Sequence, residues 1–219
     1  MYLAGVDEAG RGPLFGPMVI AIAVIGEEKE RLLAELGVRD SKLLTPSRRE
    51  VVRAQMEKLL DFYSLRVVEP REIDEAVSRG GLNLLEAKVI CELVRRALEK
   101  TPLGVVYVDS PDPKPERFGS LLSQMLGGSV RVVARNGADR DFAIVAAASI
   151  LAKTERDRLV EQLKRLYGDF GSGYPSDPRT REFAEKWLRE HGEPPPFARK
   201  SWSTWSSLRK KESLERFLV

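Results

Sequence analysis

Acidic side chains stand at three corresponding places in this chain, each beside the end of an apolar run. Asp7 and Glu8 close YLAGVDE, Asp109 closes LGVVYVD, and Asp139 opens a helix-forming stretch that follows SVRVVA. In open α/β sheets ligands collect where strands end, so carboxylates far apart in sequence can meet at one rim. Neighbouring carboxylates repel one another and raise each other's pKa unless a cation neutralises them. Oxygen-only ligands select Mg2+ or Mn2+. Two such ions about 3.5 to 4 Å apart can clamp a phosphodiester, one activating the attacking water and the other stabilising the leaving oxygen. Taken singly each acid has an ordinary alternative: Asp139 as a helix cap, Asp7-Glu8 as a charged strand end, Asp109 as the shaper of a Ser-Pro turn.

The rest of the inventory narrows the chemistry. The single cysteine, Cys91, excludes an internal disulfide and a cysteine zinc site, and its setting in VICELV is that of a buried helix residue. The single histidine, His191, lies in the polar stretch REHGEPP; it excludes histidine zinc clusters, and its setting argues against a Ser-His-Asp arrangement. Catalysis is therefore left to carboxylates, lysines, hydroxyls and bound metal.

The elements that must position these groups alternate between strand and helix. Strands are predicted at 2–8, 17–26, 63–69, 103–109 and 129–134, the first two joined as a hairpin by AGRGPLFGP. Helices are predicted at 27–36, 46–60 behind a Thr cap, 70–78, 83–99, 115–126 and 179–190, with one long helix from near Asp139 to Gly168. The helix at 83–99 carries Leu84, Ala87, Cys91, Val94 and Leu98 on one face. This alternation gives an α/β fold with a central mixed sheet flanked by helices and a helical C-terminal region. A catalytic unit over 1–170 continuous with a helical substrate-binding region over 171–219 is the expected division.

With 219 residues, 42% hydrophobic and 32% charged, the chain can bury a substantial core beneath a charged surface. Its longest apolar stretch, Met18 to Ile25, is far shorter than the roughly 20 residues that cross a bilayer, so no membrane contact and a cytoplasmic location are expected. The net charge of +3 is unevenly placed. From Lys153 onward there are 15 Lys+Arg against 11 Asp+Glu, a balance of +4. Within that third, Arg199-Lys200 begins RKSWSTWSSLRKK, five basic residues without an acid and two indoles. That pattern suits contact with a duplex backbone; a solvated tail is the alternative.

VDEAGRGPLFGPMV resembles the signature of the ribonuclease HII family (type 2 ribonuclease H) in its prokaryotic, archaeal-like form. The likeness continues in order through RDSKLLTP, YVDSP, the Ala-Asp of RNGAD, AAASILAK, GSGYPSDPRT and RKSW. The resemblance implies the ribonuclease H fold and hydrolysis of the RNA strand of RNA/DNA hybrids, leaving 5′-phosphate and 3′-hydroxyl ends. It assigns Asp7, Glu8, Asp109 and Asp139 as the catalytic and metal-binding carboxylates. It implies that Gly10-Arg11-Gly12 reads the ribose 2′-hydroxyl through its main chain and that Tyr174 stacks at the ribonucleotide junction, so that ribonucleotides embedded in duplex DNA are incised on their 5′ side. A plain turn and a buried aromatic anchor are the alternatives. Lys42 and Lys153 are candidate phosphate contacts, with Ser149 a hydroxyl donor on the same helix as Lys153.

The chain departs from the family where a basic residue, often with a histidine, precedes the Ala-Asp pair. Here Asn136-Gly137 precedes Ala138-Asp139, so the electrostatics and loop flexibility around the fourth acid are expected to differ. DSKLL in place of DSKKL removes one phosphate contact. The related type 3 ribonucleases H carry an additional N-terminal domain, for which a motif starting at residue 5 leaves no room. A non-catalytic nucleic-acid-binding protein is the reading from another class; retention of all four acids argues against it. A monomer is expected. SLERFLV at the C-terminus reads as an ordinary helix end, with docking to a sliding clamp as the alternative.

Overall fold

The chain, described as a computed structural model over residues 1–38, 44–79 and 81–217, is organised around its first strand. β1 (Tyr2–Ala9) pairs antiparallel with β2 (Met18–Gly26), as the glycine- and proline-punctuated turn between them predicts. On its other side β1 runs parallel to β4 (Leu103–Asp109), which in turn runs parallel to β5 (Arg131–Arg135). β3 (Phe62–Val68) pairs antiparallel with β2, giving the order β3-β2-β1-β4-β5.

Helices cover both faces. α3 (Pro70–Arg79), α4 (Leu82–Leu98) and α5 (Pro115–Met125) pack on the face formed by Ala4, Val6, Ile20, Ile22, Val106 and Val108. α1 (Glu30–Glu35), α2 (Pro46–Met56) and the long α7 (Ala143–Tyr167) cover the other, against Ala9, Val19, Ala21, Ala23 and Ile25. β2 is consequently buried at every position, and it reads as an unbroken apolar run because it has no solvent face. Among the described residues, no helix is long and apolar enough to cross a membrane.

Local chemistry sets the helix ends. Thr45 caps α2 by accepting from the Arg48 amide at 3.3 Å, with Pro46 in the first turn. α8 (Pro178–His191) starts behind Asp177, which accepts from the Arg179 amide at 3.0 Å, and stops at Gly192 in the left-handed region. His191 is the exposed last residue of α8, stacked on Trp187 at 4.2 Å between ring centroids, and Cys91 is buried as a free thiol. α9 (Ser203–Phe217) packs Trp205 and Leu208 with Leu14, Phe15, Phe170 and Phe197 in an apolar cluster beyond the sheet.

Two expectations need correction. The helix expected from Asp139 to Gly168 is two: α6 (Ala138–Asp141) ends at Phe142, whose backbone is extended (φ −117°, ψ 118°), and α7 begins after it. The break lets the Phe142 ring stack on Tyr107 of β4 at 4.0 Å between centroids. Leu84, assigned to the apolar face of α4, is exposed, whereas Ala87, Cys91 and Val94 of that face are fully buried; burial also extends to Glu86, Ile90, Leu93 and Ala97.

α7 approaches β1 most closely at Gly5, where any Cβ would overlap the main-chain carbonyl of Ile144. The Ala146-Ala147-Ala148 run keeps the helix tight against the sheet. Gly5→Ala should displace α7 and cost about 1 to 3 kcal/mol or more, as overpacking against main chain does. At roughly 2 to 4 °C per kcal/mol for a protein of this size, a melting curve should show a drop of at least a few degrees. An unchanged midpoint would contradict this packing.

Candidate metal centre and nucleic-acid interface

Side chains alternate along a strand, and that alternation sorts the acids. Ala4 and Val6 belong to the α4 side of β1, so Glu8 shares that side, whereas Gly5, Asp7 and Ala9 face α7. On β4, Val106 and Val108 face α4 while Tyr107 packs on the α7 side, which brings Asp109 to the same side as Asp7. α6 then delivers Asp139 just beyond β5. One carboxylate oxygen each from Asp7, Asp109 and Asp139 lie within 4.8 Å of one another. Asp7 and Asp139 are buried, and Asp109 is half-buried. Glu8 borders this cluster rather than joining it, facing Asp109 and Glu86 of α4.

The loop between β5 and α6 is tied to Asp109, whose Oδ1 accepts from the amides of Gly137 at 2.7 Å and Ala138 at 3.1 Å. Asn136 does what the sequence did not announce. Its side-chain Nδ2 donates to the carbonyls of Ser110 at 3.0 Å and Asp112 at 2.8 Å, stapling the loop after β4 to the loop that carries Asp139.

Burial is the dominant electrostatic fact. It raises the Asp7 carboxyl well above the ordinary range, with Glu8 and Asp109 adding repulsion, while the Ser149 hydroxyl and Lys153 favour the ionised form. Glu8 is pushed up to about 8 by burial, then by Glu86 and Asp109, against the pull of Arg11. Glu86 itself is pushed up to about 7 by burial, opposed by Arg11. The Ser149 hydroxyl is fully buried on α7 and close enough to act on Asp7, yet it meets hydrogen-bond geometry with no protein group. Three crowded carboxylates, of which Asp7 is buried with its charge disfavoured, suit a divalent cation, which offsets both the burial and the repulsion. The donor set is oxygen alone, as Mg2+ and Mn2+ require.

Beside the cluster lies the glycine loop. Arg11 forms an ion pair with Glu86 and donates to Asn83 Oδ1 at 2.6 Å, so its side chain is turned to α4. Gly10 lies in the left-handed region (φ 86°) and rests on the Arg156 side chain, leaving no room for a Cβ. Exposed Tyr174 has its ring against Gly12, 3.6 Å from where a Cβ would stand. Gly12 and Tyr174 therefore share one exposed surface, with buried Gly10 two residues before Gly12.

The remaining sequence candidates divide. Lys153 is half-buried on α7 near Asp7, and Lys200 is exposed with its ammonium 3.6 Å from Glu193. Lys42 lies outside the described residues. Arg199, expected at the duplex backbone, is instead fully buried. Its guanidinium donates to the carbonyls of Gly10, Arg11 (2.7 Å) and Gly16 (3.1 Å), because the chain before α9 folds under the glycine loop. Trp205 is likewise core rather than surface, with its indole N–H on the Arg199 carbonyl at 2.9 Å. Sequence reasoning passed over Glu86, Asn83 and Arg156, and noted Asn136 only as a departure from the family pattern. Only Glu86 carried a signal, its place four residues before Ile90 on the buried face of α4.

Carboxylates gathered at the C-terminal edge of a mixed sheet ordered 3-2-1-4-5 are the arrangement of metal-dependent nucleases with the ribonuclease H fold, and this protein is of that class. The profile of the family described as Ribonuclease HII matches residues 4–205. A curated ribonuclease HII from Thermofilum pendens is 56% identical over 211 residues, covering 94% of this chain and 99% of that protein. The crystal structure of ribonuclease H2 from Pyrococcus horikoshii superposes with a TM-score of 0.89 at 44% identity, covering 96% of this chain and 98% of the other. The ribonuclease HII solved in complex with PCNA from Archaeoglobus fulgidus superposes at 0.86 with 41% identity, covering 94% and 96%. The chain belongs to the ribonuclease HII family and is an endonuclease of the ribonuclease H class that uses divalent metal.

Raised carboxyl pKa values make the metal-free protein pH-sensitive in a stated direction. Below about 4.5 these acids are protonated in both the folded and unfolded states; above that the folded state retains protons that the unfolded state has released. Stability therefore falls as pH rises, until Glu86 and Glu8 ionise near 7 and 8. Melting of the metal-free protein between pH 5 and 8 should show this decline, with a shallower slope for Glu8→Gln. Mg2+ or Mn2+ at a hundredfold excess over its dissociation constant should add about 2.7 kcal/mol, or roughly 5 to 10 °C. A flat pH profile, or no metal-induced rise, would count against the site.

Proposed function

We propose that this protein hydrolyses the RNA strand of RNA/DNA hybrids and incises duplex DNA on the 5′ side of embedded ribonucleotides, leaving 5′-phosphate and 3′-hydroxyl ends. The observation that carries this reading is the triad Asp7, Asp109 and Asp139, with carboxylate oxygens inside 4.8 Å, next to the surface shared by Gly12 and Tyr174. Two Mg2+ or Mn2+ ions held by these acids, with Glu8 at the border, would neutralise the phosphodiester and lower the pKa of the attacking water.

The chain's own residues bind and orient. Asp109 fixes the start of α6 through two amides and so sets the distance from Asp7 to Asp139. Ser149 and Lys153, on α7 beside Asp7, are suited to a non-bridging phosphate oxygen: one offers an unpartnered buried hydroxyl, the other a positive charge. The backbone amides of the glycine loop approach the sugar closely because no side chain intervenes, and they read the 2′-hydroxyl that separates RNA from DNA. Tyr174, exposed against Gly12, offers its ring for stacking at the step after the ribonucleotide. Lys200 offers a phosphate contact along the duplex. The C-terminal SLERFLV is the segment we assign to sliding-clamp contact, supported by the Archaeoglobus relative having been solved with PCNA.

The test is cleavage of a labelled DNA duplex containing one ribonucleotide, with and without Mg2+ or Mn2+. Metal-dependent incision on the 5′ side of the ribonucleotide is expected. Asp7→Asn and Asp109→Asn should each lower turnover roughly a thousandfold, the equivalent of several kcal/mol of lost charge stabilisation. Metal-independent cutting, or full activity in either variant, would refute the mechanism.

A further inference from the structure

We infer that Arg199 is a positioning residue for ribonucleotide selection: by gripping the carbonyls of Gly10 and Arg11 from beneath, it aims the amides of Arg11 and Gly12 at the substrate sugar. The inference rests on the proposal that the glycine loop reads the 2′-hydroxyl.

The geometry follows from the planarity of the peptide unit. In a trans peptide the C=O of one residue and the N–H of the next point in opposite directions. The Gly10 carbonyl accepts from Arg199 Nη2 and the Arg11 carbonyl from Arg199 Nη1 at 2.7 Å. The Arg11 and Gly12 N–H groups must then point away from Arg199. Among the described residues neither amide donates a hydrogen bond to the protein. The Gly12 carbonyl accepts from the Trp202 indole at 3.1 Å, and that peptide carries no N–H because residue 13 is proline. Two consecutive peptide units thus present outward donors, and the third is held by a carbonyl alone.

Arg199 is held in turn. Its own amide donates to Leu14 O at 2.9 Å, its Nε reaches Gly16 O at 3.1 Å, and its guanidinium lies 5.1 Å from the Trp202 ring centroid. Asp74 fixes the following residues through the Lys200 and Ser201 amides, both at 2.9 Å. Arg156 supports the same loop from α7: its Nε donates to Pro17 O at 3.3 Å, its side chain underlies Gly10, and its guanidinium lies 5.7 Å from the Tyr174 ring centroid. Arg156 Nη2 is buried without a partner. A buried cation that serves only main-chain carbonyls is a costly way to stabilise a turn. A planar fork that spans two successive carbonyls fixes both peptide planes at once, which a lysine ammonium cannot do.

The experiment compares kcat/KM on two duplexes alike except at one sugar, ribose in the first and 2′-deoxy-2′-fluororibose in the second. Wild type should prefer ribose, and Arg199→Lys should shrink that preference about tenfold, the worth of one well-made hydrogen bond to the 2′ oxygen. Arg156→Lys, which keeps the fork over Gly10 and Arg11 intact, should shrink it less and serves if Arg199→Lys does not fold. Mn2+ binding measured by calorimetry should be unchanged in both. If Arg199→Lys slows both duplexes in equal proportion, or Arg156→Lys with the fork intact shrinks the preference tenfold or more, the inference is overturned while the reading of the loop stands. If wild type itself shows no preference for ribose, the loop reading fails and takes this inference with it.

Discussion

The lie of α7 along β1 is the constraint on which the site depends. The two elements touch at Gly5 and Ile144, then run in the same direction at nearly matched lengths. Two residues of strand advance about 6.6 Å and five residues of helix about 7.5 Å, which carries Ser149 level with Asp7. One further turn brings Lys153. Continuing to Gly10 adds about 16.5 Å of extended chain measured from Gly5, against about 18 Å of helix from Ile144 to Arg156, whose side chain does lie under Gly10. A single helix thus serves as a ruler that sets a hydroxyl, an ammonium and a guanidinium against acids and a loop supplied by the first strand. A residue bulkier than glycine at position 5 would overlap the Ile144 main chain and push the two apart.

Upon that frame the charges are arranged so that the protein alone does not satisfy them. Asp7, Asp109 and Asp139 crowd one side of the sheet edge, while Glu8 and Glu86 crowd the other with Arg11 between Glu86 and Asn83. Because Arg11 is committed to Glu86, its charge reaches Glu8 only as a secondary pull, and Glu8 remains raised to about 8. This commitment also removes the Arg11 side chain from the face next to Tyr174, so that the loop offers main chain there. The direction of the Arg11 side chain, and the main chain left beside Tyr174, are consequences of one ion pair.

Much of this was legible in sequence. Short strands ending in charge placed Asp7 and Asp109 at a common edge, Thr45-Pro46 marked the start of α2, and the β-rich run of β2 marked a strand. The two-residue alternation of VDEA sets Glu8 on the opposite face from Asp7, a split that the grouping of four acids did not take into account. What could not be read were the polar groups whose partners lie far along the chain. Arg199 bonds to carbonyls 183 to 189 residues away and Arg156 to one 139 residues away, and carbonyls have no sequence signature. Arg199 in RKSW therefore read as a contact to a duplex backbone, and Arg156 in TERD stood out in no way. The break at Phe142 was hidden for a related reason: neither glycine nor proline marks it, and its partner Tyr107 is on another element.

The departure of Asn136-Gly137 from the family pattern shows how far local chemistry can change while the acid it serves stays in place. A cation near Asp139 would hold that loop by charge. Here Asn136 holds it by two hydrogen bonds, to Ser110 O and Asp112 O, and so joins it to the same turn that follows Asp109. Gly137 adopts φ 69°, a conformation that costs a residue with a Cβ on the order of 1 kcal/mol, and thereby turns its amide onto Asp109 Oδ1. With Asp109 accepting from both Gly137 and Ala138, the start of α6 is fixed from the opposite strand end rather than from within its own loop. Asp139 is thus positioned by way of Asp109, and Asn136 joins the two loops by neutral hydrogen bonds.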